Sequence, residues 1–145
     1  MNNDKFLVSW KKGDEGFIDQ HCIHFQKSEF ECKCNKDHEQ IIDIRLVQGL
    51  EYIRGLVKKP IKINSGYRCG AHNATVKNAD PKSKHIYGIA ADIVIPGFDV
   101  RRYLKIMAIL KGKGFNGFGI FLYEGSRMHI DLRPESECYL GTALW

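Results

Sequence analysis

Between Ser65 and Asp92 the chain reads SGYRCGAHNATVKNADPKSKHIYGIAAD, and its last ten residues, Ser83 to Asp92, follow the pattern S-x-H-x-x-G-x-A-x-D. An imidazole (His85) and a carboxylate (Asp92) stand seven residues apart, separated by a glycine and small alanines. A second histidine, His129, follows inside Met128-His129-Ile130-Asp131-Leu132-Arg133. Two histidines and one aspartate form a three-ligand set of the kind catalytic zinc uses, with the fourth position left to water. Taken alone, His129 reads better as part of a half-buried edge strand with its polar face in water. Its combination with the upstream pattern reverses that weighting.

Outward from this stretch, the elements alternate in type. Residues 40–57 carry a helical stripe of Ile42, Leu46, Leu50, Ile53 and Val57, ended by Pro60. Ile61 to Asn64 alternates as a short strand that delivers Ser65-Gly66-Tyr67-Arg68 at its end. Residues 71–78 read as a short helix, 79–84 as a loop, and 89–95 as a buried strand stopped by Pro96-Gly97. Val100 to Lys111 is a second amphipathic helix, with Tyr103, Ile106, Met107 and Leu110 on one side. Residues 117–123 and 127–132 pair as a hairpin across Glu124-Gly125-Ser126. On the second of these strands His129 and Asp131 share one face, while Met128, Ile130 and Leu132 pack inward. Toward the N-terminus, residues 5–10 and 17–25 read as short extended segments, with His21 and His24 as strand histidines. The tail after Pro134 reads as irregular. The expectation is a single α+β domain over residues 1–145: a small, mainly antiparallel sheet with helices packed around it and zinc on a sheet face.

Bulk properties narrow the classes. The 145 residues suit one domain with a real core, and 43% hydrophobic with 27% charged residues is ordinary for a globular protein. No apolar run approaches the roughly 20 residues that span a bilayer, so no transmembrane segment is expected. The N-terminus, MNNDKFLVSWKKGDEG, lacks the basic-then-apolar order of a signal peptide. The net charge of +5 is dispersed; it would favour an anionic polymer such as a cell wall, and equally tolerate nucleic acid. No stacked aromatic pattern or recognition helix accompanies it, so no nucleic-acid partner is expected. Five cysteines, Cys22, Cys32, Cys34, Cys69 and Cys138, are an odd number, which argues against a full disulfide framework. Cys32-x-Cys34 has a shorter spacing than structural zinc pairs usually show. Reduced thiols or one local bridge is the favoured reading, over a metal held with Cys69 or His38.

SGYR, then HN, then S-x-H-x-x-G-x-A-x-D, then Gly117-x-Gly119 and H-I-D-L-R together resemble the zinc D-Ala-D-Ala carboxypeptidase family, and more narrowly its phage-type peptidoglycan peptidase branch. Ser28-Glu29-Phe30-Glu31-Cys32-Lys33-Cys34 resembles the leading segment of that branch, so the family-like core covers about residues 25–133. The resemblance implies that His85, Asp92 and His129 bind Zn2+, and that Arg68 holds the substrate or the oxyanion of the tetrahedral intermediate, a task for a fixed guanidinium. Against this stands a plain surface or carboxylate-paired arginine. Ser83 matches a substrate-contacting serine, though it equally suits a loop cap. His72 corresponds to a structural or supporting histidine, and Gly88 and Ala90 to close packing behind the metal. The family's general base, a glutamate three residues or a histidine two residues before the last ligand, is replaced here by Ser126 and Arg127. Asp131, on the ligand's own face, is expected in a close supporting role, and Glu124 is the rival base.

The function these readings imply is zinc-dependent hydrolysis of an amide bond in peptidoglycan peptides, as a carboxypeptidase or an endopeptidase. The alternative is a zinc-containing binding module on the same fold. A phage-type peptidase would act on the wall from the cytoplasm of an infected host, or as part of a virion or tail assembly.

Overall fold

A computed structural model describes residues 4–122 and 126–143. Among these, seven strands form two sheets, accompanied by three α-helices of which the two long ones contribute to the main core. A two-stranded antiparallel sheet pairs β1 (Leu7–Lys11) with β2 (Glu39–Asp43). The larger sheet contains β3 (Lys62–Ser65), β4 (Ala90–Val94), β5 (Gly117–Phe121), β6 (Arg127–Asp131) and β7 (Tyr139–Ala143), in the order β3-β4-β6-β5-β7. Its pairings are antiparallel except β5 with β7, which is parallel. The α+β expectation, mainly antiparallel, therefore describes the fold.

Helix α1 (Ile44–Val57) begins four residues later than the apolar stripe suggests. Residues 39–43 go to β2 instead, because Asp43 caps the helix: its carboxylate accepts the Arg45 N–H at 2.9 Å and also binds the Arg45 guanidinium. The stripe survives the change, since Ile42, Leu46, Leu50 and Ile53 are all fully buried. Helix α3 spans Val100–Lys111 as the sequence indicates, with Tyr103, Ile106 and Leu110 inward. The Tyr103 hydroxyl accepts the Ile95 N–H and donates to the Ser126 carbonyl, tying the helix to the ends of two segments of the sheet. Between these helices, α2 (Gly70–Asn73) is a single turn rather than the longer helix read over 71–78.

One face of the large sheet meets α1 and α3 through Ile63, Ala91, Ile93, Phe118, Ile120, Met128 and Ile130. Strand alternation then commits Asp92, His129 and Asp131 to the opposite face. Two expectations are corrected. Residues 17–25 form turns, with only a Phe17–Gln26 bridge, and His24 lies off any strand against Glu51 at 2.6 Å. Their apolar residues, Ile18, Cys22 and Phe25, are buried one at a time from irregular backbone, which imitates strand alternation in a sequence. The tail is not irregular throughout, because residues 139–143 add β7 to the sheet edge.

Candidate metal centre

A row of backbone pairings crosses the large sheet at right angles to its strands. Ser65 on β3 faces Asp92 on β4, Asp92 faces His129 on β6, His129 faces Gly119 on β5, and Gly119 faces Gly141 on β7. A register shift between Ile63 and Ser65 brings Ser65 opposite Asp92. The row thus sets a carboxylate beside an imidazole, then runs into two residues without side chains. The third group comes from off the sheet: His85 sits in the 3-10 turn Lys84–Tyr87, which Ser83 caps through its hydroxyl and Gly88 closes with φ of 71°, a conformation that favours glycine.

The three side chains converge. His85 Nε2 lies 3.3 Å from Asp92 Oδ2, and His129 Nδ1 lies 2.8 Å from Asp92 Oδ1. One ligand atom from each of the three falls within 4.8 Å of the others. Nitrogen and oxygen ligands about 2.0 Å from a tetrahedral zinc sit about 3.3 Å apart, so the donor set fits that ion. Each histidine is also oriented from behind. His85 donates Nδ1–H to the Gly66 carbonyl at 2.7 Å, which turns Nε2 toward the site. His129 Nε2 bonds Asp131 Oδ2 at 2.8 Å, which leaves Nδ1 to face Asp92. Such outer contacts fix the ring and raise ligand basicity.

The electrostatics follow from this packing. Burial works against charge on Asp92, but hydrogen bonds from His129 and His85 outweigh it and hold the carboxyl well below the usual range. Burial likewise disfavours a charged His129, yet Asp131 and Asp92 on either side raise its pKa to about 9. Asp131 is fully buried, and its carboxyl is held low by Arg133 and His129 against the cost of burial. Arg133 grips it twice, through Nε at 2.8 Å and the terminal nitrogen at 2.6 Å, while the Arg133 backbone N–H adds a third bond. That carboxylate lies directly against Gly117, where a Cβ would come within 2.1 Å of Oδ1.

An open cavity of about 500 Å³ spreads over the row. Its floor contains His85, Asp92, His129, Gly119 and Gly141. Around these the cavity is lined by Asp80, Lys82, Ser83 and Lys84 from the loop entering the 3-10 turn, and by Phe121, Arg133, Glu137 and Tyr139 from β5 and the segment leading into β7. Lys84 joins these two segments through an ion pair with Glu137 at 2.9 Å. The structure therefore brings Ser83 to the cavity together with the three metal-ligand candidates. Arg68 sits outside its lining, on the β3 flank: its guanidinium donates to Asn73 Oδ1 at 2.8 Å and to Ser65 Oγ at 3.3 Å, and its backbone N–H donates to the His85 carbonyl. Asp131 lies under His129 rather than in the cavity. Glu124 lies outside the described residues. His72 joins neither of the metal-ligand groupings found among the described residues. Arg133, Glu137 and Tyr139 were not singled out in the sequence. Arg133 had a signal, standing two residues after Asp131 on the same strand period; the other two lie in a segment without pattern.

The family model described as Peptidase M15 matches residues 23–131 of the chain. No curated protein and no solved structure matches it.

Proposed function

Because the chain belongs to the peptidase M15 family, whose members are usually zinc-dependent metallopeptidases, we propose that it hydrolyses an amide bond in bacterial peptidoglycan peptides. The observation that carries this reading is the convergence of His85, Asp92 and His129 at the floor of an open cavity, each histidine oriented by a buried acceptor. Zinc held by these three would supply a water of lowered pKa and a Lewis acid for the scissile carbonyl.

The chain's own residues supply the remainder. Asp131 holds His129 in the tautomer that presents Nδ1, and Arg133 keeps Asp131 ionised. With both its oxygens committed, Asp131 is suited to orient rather than to accept a proton, which leaves that role to Glu124, five residues before His129. Arg68, anchored by Asn73 and Ser65 beside the Asp92 end of the row, is the fixed guanidinium for the oxyanion. Ser83, Lys82 and Lys84 line the wall on which an acidic peptide end would rest. Within the M15 family we assign the chain to the phage-type branch, as one zinc peptidase domain acting as a free lysin or within a virion or tail.

The test is digestion of purified peptidoglycan of several chemotypes, with mass spectrometry of the products. Zinc-loaded protein releases peptides from at least one type, and a chelator stops the release. Metal-loaded protein inert on every type overturns the catalytic reading. The competing reading is a zinc-containing binding module, favoured by one observation: the carboxylate beside His129 is fully engaged. His85→Ala separates the two, because a binder keeps its wall affinity while hydrolysis is lost.

A further inference from the structure

A second group of metal-binding side chains lies away from the cavity, where three stretches of chain meet. Cys32 and Cys34 follow the 3-10 turn Lys27–Phe30, His38 precedes β2, and Cys69 caps α2. One ligand atom from each of these four lies within 4.8 Å of the others. We propose that Cys32, Cys34, His38 and Cys69 bind a second, structural zinc ion, distinct from the one at His85, Asp92 and His129.

The distances suit a shared ion better than a covalent bond. Cys34 Sγ stands 4.0 Å from Cys69 Sγ and 3.0 Å from His38 Nε2, and none of the five cysteines is bridged. A tetrahedral zinc with ligands at about 2.3 Å for sulfur and 2.0 Å for nitrogen spaces them about 3.5 to 3.8 Å apart. A disulfide needs about 2.05 Å. The histidine is already set in the ligating tautomer: Nδ1 lies 2.9 Å from the Glu39 carbonyl, to which it donates, so the lone pair of Nε2 points at the thiols. Donors also face the sulfurs. The Cys69 N–H reaches Cys32 Sγ at 3.4 Å, the His72 N–H reaches Cys69 Sγ at 3.3 Å, and the Lys12 ammonium lies 3.8 Å from Cys34 Sγ. Three thiolates and one imidazole around Zn2+ leave a net charge of −1, which Lys12 offsets.

The set has four protein ligands and no open position, the mark of a structural rather than a catalytic zinc. The short Cys-x-Cys spacing is no obstacle, since the site closes through Cys69, 35 residues further on. The ion would clamp the leading segment to the loop after β3, where the Tyr67 N–H already donates to the Phe30 carbonyl. Arg68 lies between that hydrogen bond and Cys69, so the clamp would hold the backbone from which its guanidinium projects.

Metal analysis and cobalt spectroscopy on the full chain test this independently of any hydrolysis. Wild-type protein purified with zinc holds about two ions per chain and His85→Ala about one, the closed set keeping its own. Cobalt-loaded His85→Ala shows thiolate-to-cobalt charge transfer in the near ultraviolet, which the thiol-free cavity site cannot give. Cys69→Ser and His38→Ala lose that band or weaken it several-fold while keeping the cavity metal. If the cysteine variant fails to fold, the cobalt spectrum of His85→Ala decides alone. A single zinc in the wild type with none in His85→Ala, absence of the band, or a Cys34–Cys69 disulfide in freshly purified protein overturns the proposal.

Discussion

His129 carries two obligations at once, one nitrogen toward Asp92 and the other toward Asp131. Replacing Asp131 by Asn keeps the shape but removes the charge that fixes the ring. Zinc affinity should fall about 10–100-fold, read by competition with a chromophoric chelator. Glu124→Gln should lower kcat with zinc content unchanged, so the two variants separate orientation from proton transfer. The same two carboxylates set a pH dependence. In metal-free protein the His129 pKa of about 9 lies above the unfolded value of about 6.5. A group raised on folding contributes stability that is fully present below the unfolded value and is lost as pH climbs through the folded one. Chelated protein should therefore lose thermal stability between about pH 6.5 and 9, a loss that His129→Gln abolishes in melting curves recorded across that range.

At the scale of elements, β5 matters for what it lacks. Gly117 gives its space to the Asp131 carboxylate, and an alanine there would overlap it at 2.1 Å. Gly117→Ala should displace Asp131 from His129 and lower zinc affinity and kcat together. At Gly119 an added Cβ would meet His129 Cβ at 3.6 Å, an ordinary contact. Gly119→Ala should keep its zinc, and Gly119→Val should raise KM by filling the cavity floor. Steady-state kinetics beside metal analysis distinguish them. Sequence alone made the ligand strand legible, because period-two alternation places Met128 and Ile130 in the core and His129 opposite them. Helix α3 was legible to the residue, bounded by Asp99 and Gly112. The start of α1 was not, since Ile42 to Leu46 fits a helical step even though Ile42 belongs to β2; Asp43 was the overlooked cap. Strand β7 was hidden for the opposite reason. Tyr139 and Leu140 are mostly exposed on a sheet edge, so no alternation marks the strand.

Across the whole molecule, the sheet separates stability from chemistry: helices cover one face, and the other bears the metal row and its cavity. Part of that cavity comes from beyond residue 131, where the family match ends. Glu137, Tyr139 and Gly141 line it from the last turn and β7. Tyr139→Ala should leave zinc content intact and change KM more than kcat, because the residue lines the cavity and is not one of the metal-ligand candidates. The convergence of Cys69 with Cys32 and Cys34 belongs to this scale too. The sequence offered Cys69 and His38 as partners, but the short Cys32-x-Cys34 spacing weighed against a metal, because the closing thiol depends on how β3 is placed against the leading segment.

The pairing row from Ser65 to Gly141 also fixes a direction. Its far end is roofed, because the Tyr139 phenol lies over Gly141, where an added Cβ would come within 2.3 Å of the hydroxyl oxygen, and Gly119 is left as the bare position beside His129. Along the row the metal-ligand candidates thus meet open cavity first, over Gly119, and an aromatic ring next, over Gly141, which puts Tyr139 at the limit of what the row can expose.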